Sequence, residues 1–208
     1  MNAFHNDQKV KETYLTRVRA HRLADEIIKG KYWDGGKGCA VGCTIHGSEH
    51  FKYETELGIP RWLAHVEDKI FEGLSIERSK SWPEEFLSAI NIGAELDKVK
   101  IPFLIFVVES AREKVDKAKY HKTIEYIDGV LAELKRDPID LGKLRKARSA
   151  AYAAAYADAA AAYAAADAAD AAYADAAYAA AAAAGRAARE NEFEKFADKL
   201  LELLKACQ

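Results

Sequence analysis

The stretch 150–184 reads AAYAAAYADAAAAYAAADAADAAYADAAYAAAAAA: 26 alanines, five tyrosines and four aspartates, with no glycine or proline. Alanine is the strongest helix former, because its side chain loses no rotamer freedom and buries no polar group. The stretch therefore predicts helix. At about 100° per residue, Tyr152, Tyr156, Tyr163, Tyr173 and Tyr178 fall on one half of the helical surface. The other half is nearly bare Cβ, which lets neighbouring helices approach closely. The expected fold class is all-α: a multi-helix bundle organised around this long Ala/Tyr-rich helix. A single helical domain spans 1–208, with N-terminal helices and a Gly/Cys/His loop in 1–138. The Ala-rich helix and a Leu-rich C-terminal helix fill 139–208.

An unbroken helix over 141–206 would be about 100 Å long. A compact body of this chain length is about 35–40 Å across. The helix must therefore kink, fold back or project; Gly185 is the breaker before its last part, and Asp167 and Asp170 are able to cap a restart. The same helix is the place where two copies would pair, so a homo-oligomer is expected there.

Composition narrows the function classes. Lys+Arg number 31 and Asp+Glu 33, a balance that argues against a nucleic-acid binder, whose footprint is basic. Three cysteines, two of them four residues apart, do not make a secreted disulfide framework, so the cytoplasm of a bacterial host is expected. No membrane span is expected, because the apolar run 101–108 is too short and the alanine stretch carries aspartates.

Upstream, Asp7 caps a helix expected to run to about Lys29, with Gly30 as its stop. Ser48 is read as the cap of a short helix ending before Gly58, and Pro60 as the first residue of the next, which Gly73 ends. Ser81-Trp82-Pro83-Glu84 reads as a capping box opening a further helix. Two more are expected at about 102–115 and 122–135. Asp140 then caps the segment leading into the alanine stretch.

The residues with chemical potential sit in 31–47, KYWDGGKGCAVGCTIHG. Cys39, Cys43, His46 and His50 are spaced C-x3-C-x2-H-x3-H, a zinc ligand set by type. On a straight helix they would lie in a line about 16 Å long and miss a common metal, so zinc requires the loop to fold back. The alternative thiol chemistry has Cys43 as nucleophile and His46 or His50 as base. Glu54 or Glu56 would orient that base, and the N–H groups near Gly38 and Gly42 would face an oxyanion. A ligand would meet Trp33, Lys37 and the glycine backbone at Gly38, with Tyr156 and Tyr163 as stacking surfaces. The bland reading makes the cysteines small buried residues in a tight glycine turn and the aromatics packing groups.

The residues 37–44 (KGCAVGCT), His46 and 53–60 (YETELGIP) resemble an uncharacterised family of small phage- and prophage-borne helical proteins. The segment 68–74 (DKIFEGL), Trp82-Pro83, the alanine stretch and 197–200 (ADKL) fit the same pattern. The resemblance implies a phage or prophage setting. It favours a non-enzymatic binding or inhibitory protein acting against a host defence component. The partner would be a host protein or a small nucleotide-like ligand. A Cys/His thiol or metal enzyme and a self-assembling structural protein are the alternatives.

Overall fold

The computed structural model describes residues 1–115, 118, 120–147, 149–150, 153 and 174–208. Most of the alanine stretch, with Tyr152, Tyr156, Tyr163 and Tyr173, lies outside the described residues. Among the described residues the protein is all-α apart from one two-stranded hairpin. It forms two compact units: Met1–Lys100 with Arg186–Gln208, and Ile101–Gly185.

In the first unit, helix α1 (Gln8–Leu23) begins where Asp7 accepts the Lys9 N–H. It ends at Leu23, well before Gly30, because Asp25 turns left-handed (φ 54°). Leu23, its last residue, is 83% exposed. Ile27 is buried, but in an extended segment that bridges to Gly38. Strands β1 (Trp33–Asp34) and β2 (Lys37–Gly38) then form an antiparallel hairpin. Gly35 and Gly36 make its turn with φ of 57° and 97°, the doubly left-handed geometry that tight hairpins take.

Helix α2 (Ala40–Ile45) follows, with every residue buried. It touches α1, β2, α4 and α5. Among the described residues this short helix sits at the centre of the first unit's core. Helix α3 (Lys52–Leu57) begins at Phe51 rather than Ser48, and Gly58 closes it in the left-handed conformation. Helix α4 (Arg61–Gly73) starts one residue later than expected: Pro60 has a helical φ of −56° but an extended ψ of 137°, so it caps the helix and Arg61 opens it.

Helix α5 (Ile76–Ala89) differs from its expectation. Ser75 caps it, accepting from Arg78 N–H, so Ser81 to Glu84 lie inside the helix. Pro83 is tolerated there, and Ser81 Oγ donates to the Arg78 carbonyl and the Glu85 carboxylate instead of capping. Trp82, Phe86, Leu87, Tyr53, Leu57, Leu63 and Phe71 fill the core. The C-terminal helix (Ala174–Ala206) contributes Leu200 and Leu204 to it. Arg78 ties this helix down through Glu194 and Asp198, each at 2.8 Å. Gly185 lies inside that helix and does not end it.

The second unit takes in helix α6 (Asp97–Lys114) from Ile101 onward and α7 (His121–Leu134). Arg112 pairs with Asp128, and Lys135 with Glu109 at 2.7 Å. Asp140 Oδ1 accepts from the N–H groups of Gly142 and Lys143 at the start of the helical residues 141–147. Among the described residues no helix is long and apolar enough to cross a membrane.

Candidate functional site

The glycines of the loop explain its shape. A Cβ on Gly42 would lie 1.5 Å from the Tyr32 carbonyl oxygen, and one on Gly38 would lie 2.1 Å from it. The backbone of the hairpin therefore rests directly on α2, and only glycine admits it. Gly38 N–H donates to the Glu26 carbonyl, so this glycine receives the chain's own backbone rather than a ligand.

That contact seals the thiols. Cys39 and Cys43 are 1% and 0% exposed. Burial pushes both thiols up to about 12, so neither supplies a thiolate at neutral pH. Cys43 Sγ donates to the Gly38 carbonyl at 3.3 Å and, more weakly, to the Glu26 carbonyl at 3.7 Å. Glu54 is taken by the Arg61 N–H and Glu56 by Tyr14 OH, so neither orients a histidine. The residues do not fit a zinc site. His46 is left-handed at the end of α2, which breaks the helical face that would have aligned the four residues. Among the described residues no group of three or more His, Cys, Asp or Glu could hold a metal ion.

The hairpin instead brings histidines together on its two sides. On one side, His21 Nδ1 lies 2.6 Å from Glu26 Oε2, and His21 Nε2 lies 2.9 Å from His46 Nε2. The Trp33 indole stacks on His46 at 4.6 Å and meets His21 edge-on at 5.5 Å. Burial, then the charges of Arg17 and His21, hold the His46 imidazole below its usual range. Arg17 is placed there by its bond to the Thr44 carbonyl at 2.7 Å.

On the other side, His50 stacks on His65 at 4.1 Å and meets Tyr32 edge-on at 5.5 Å. Tyr32 OH donates to Asp68 Oδ2 at 3.3 Å. The Asp68 charge, with some burial, raises the Tyr32 phenol. His65 is lowered, mainly by desolvation and then by His50. Lys37 is exposed on β2, across the hairpin from Asp34.

The core also holds a buried polar pair. Tyr53 OH donates to Glu67 Oε2 at 2.6 Å, and Trp82 Nε1 donates to the Glu67 carbonyl at 3.1 Å. Glu67 Oε1 is buried without a partner. Desolvation raises the Glu67 carboxyl to about 8, against the opposing bond from Tyr53.

Of the residues singled out from sequence, Trp33 with His46, and Tyr32 with His50, thus meet at the hairpin. Cys39 and Cys43 form its floor. Tyr156 and Tyr163 lie outside the described residues. His21, Glu26, His65, Asp68 and Glu67 were not found from sequence. The only local signal was the spacing of His65, Asp68 and Glu72 along one face of α4. No family model, curated protein or solved structure matches the chain.

Proposed function

We propose that this is a non-enzymatic binding protein that holds its target against the imidazole and aromatic face around Tyr32 and Trp33. The observation that carries the reading is the division of labour within the loop. The nucleophile-type side chains, Cys39 and Cys43, are sealed in the floor, while Tyr32 is 45% exposed and Trp33 half-buried above them. The histidines bond a carboxylate and one another, which builds a rigid, shape-defined surface. Aromatic and imidazole side chains give large contact area with few torsions to freeze, the economy that binding surfaces favour.

In the phage or prophage setting implied by the sequence resemblance, the target is a component of host defence. A host protein suits this face better than a signalling nucleotide, because the Asp68 and Glu72 carboxylates beside Tyr32 repel phosphates. The self-assembly reading rests on the alanine stretch 150–184, most of which lies outside the described residues.

The test is native mass spectrometry of untagged protein purified from its bacterial host. Wild type should retain a stoichiometric partner that Trp33→Ala loses and Cys43→Ala keeps. If Cys43→Ala abolishes activity while the partner stays bound, the protein is a thiol enzyme and the binding reading fails.

A further inference from the structure

Phe4, His5 and Asn6 follow one another in the left-handed region, with φ of 54°, 53° and 60°. None of them is glycine. Asparagine tolerates that region, but a bulky residue such as Phe4 enters it only when its surroundings force it. A left-handed run of L-residues is unfavourable at every step. The turn therefore carries strain that its contacts must offset.

Three separate pieces of the first unit supply those contacts. Ala3 pairs with the loop 91–96 on both sides: its N–H donates to the Ala94 carbonyl at 3.2 Å, and its carbonyl accepts from Gly93 N–H at 2.9 Å. The Phe4 ring is fully buried, and the Lys11 ammonium, from α1, lies 5.5 Å from its centroid. Gly58, at the end of α3, is itself left-handed, and an added Cβ there would lie 2.4 Å from the Asn2 carbonyl oxygen. Gly93 is left-handed too, with Asn6 Oδ1 2.5 Å from such a Cβ. Two glycines thus seat the turn from different loops.

The loop 91–96 also holds the end of the C-terminal helix. Asn91 Nδ2 donates to the Lys205 carbonyl at 3.1 Å and to the Cys207 carbonyl at 2.9 Å. Cys207 Sγ donates to the Glu95 carbonyl at 3.4 Å, and the residue is 8% exposed. The strained turn and the helix end therefore depend on one short loop.

We infer that residues 1–6 form a strained clasp that opens before the core unfolds, and that its opening loosens the loop 91–96 and exposes the Cys207 thiol. Opening relieves the left-handed turn, so it takes less than the contacts alone would demand. Segments of this kind open locally, below the global limit. The clasp does not involve the Tyr32 and Trp33 face and stands apart from the binding reading.

The test labels the full chain with iodoacetamide at neutral pH and follows each thiol by peptide mass spectrometry, with Gly93 amide exchange as a second readout. Cys39 and Cys43 report global unfolding, so Cys207 should label faster than both. His5→Gly relieves strain at an exposed side chain and should slow Cys207 labelling and Gly93 exchange about two- to fivefold. Gly58→Ala, which presses on the clasp from the end of α3, should speed both. Gly42→Ala strains the hairpin instead, so it should speed Cys39 and Cys43 and leave Cys207 unchanged. A Cys207 rate equal to those of Cys39 and Cys43, or one that rises with them in Gly42→Ala, makes global unfolding the only opening and overturns the inference. A Cys207 rate that His5→Gly leaves unchanged also overturns it, because the helix end then frays without the clasp.

Discussion

The Nε2 atoms of His21 and His46 lie 2.9 Å apart, joining α1 to the end of α2 beneath the Trp33 ring. A hydrogen bond between two imidazole nitrogens holds one proton, so one ring must offer a lone pair. Glu26 accepts from Nδ1–H of a neutral His21, so His21 Nε2 offers the lone pair and His46 Nε2–H donates to it.

This arrangement makes Trp33 a reporter of pH. His46 and His65 are both held below the free value of 6.5. The unfolded chain therefore takes up protons that the folded chain refuses, and stability falls as pH drops below about 6.5. Second protonation would set two N–H donors against each other and part the rings. Trp33 emission, taken as the difference between wild type and Trp33→Phe, should change on that acid limb. In His46→Gln the change should vanish. A difference signal that is flat from neutral pH to the onset of unfolding contradicts the pairing.

The buried carboxyl of Glu67 has the opposite sign on the alkaline side. Its folded range is raised to about 8, against 4.5 when free. Its contribution to stability is complete below 4.5 and is lost as pH rises through about 8. Each unit of such a shift corresponds to about 1.4 kcal/mol. Urea unfolding between these limits should show wild type losing stability with rising pH, and Glu67→Gln following a flatter curve. Parallel curves would place the ionisation elsewhere.

Thiol labelling separates the floor of the hairpin from its face. With both thiols pushed up to about 12 and buried, Cys39 and Cys43 should resist alkylation at neutral pH until the chain unfolds. Mass spectrometry of partly labelled protein checks this. Fast native labelling of Cys43 would restore the nucleophile reading.

Gly42 is the single position on which the hairpin depends most. Gly42→Ala puts a Cβ 1.5 Å from the Tyr32 oxygen, so the hairpin must lift from α2. The expected loss is about 2–4 kcal/mol by urea unfolding, from overpacking and from exposure of the cysteine floor. Gly129, inside α7, is the contrast. No described atom lies within 4 Å of an added Cβ there. Gly129→Ala should gain about 0.5–1 kcal/mol, the ordinary helix preference for alanine.

Much of the fold was legible from local chemistry. Asp7, Pro60, Gly58 and Asp140 mark helix ends because capping and backbone preference act within a few residues. The same logic misplaced the ends at Gly30 and Ser81. In each case a tertiary demand prevailed: Ile27 is needed to pair with Gly38, and Trp82 is needed in the core under Glu67.

The sequence by itself determined that the chain is helical, where most helices begin, and that the stretch 31–47 departs from helix. Those are local properties of backbone freedom and apolar spacing. The tertiary structure decided what that stretch is for. Gly38 and Gly42 let the Tyr32 carbonyl sink onto α2, which buries Cys39 and Cys43, while the left-handed turn at the end of α2 leaves His46 exposed. The partners of His46 and His50, namely His21, His65 and Asp68, come from α1 and α4, at separations along the chain that no local pattern encodes.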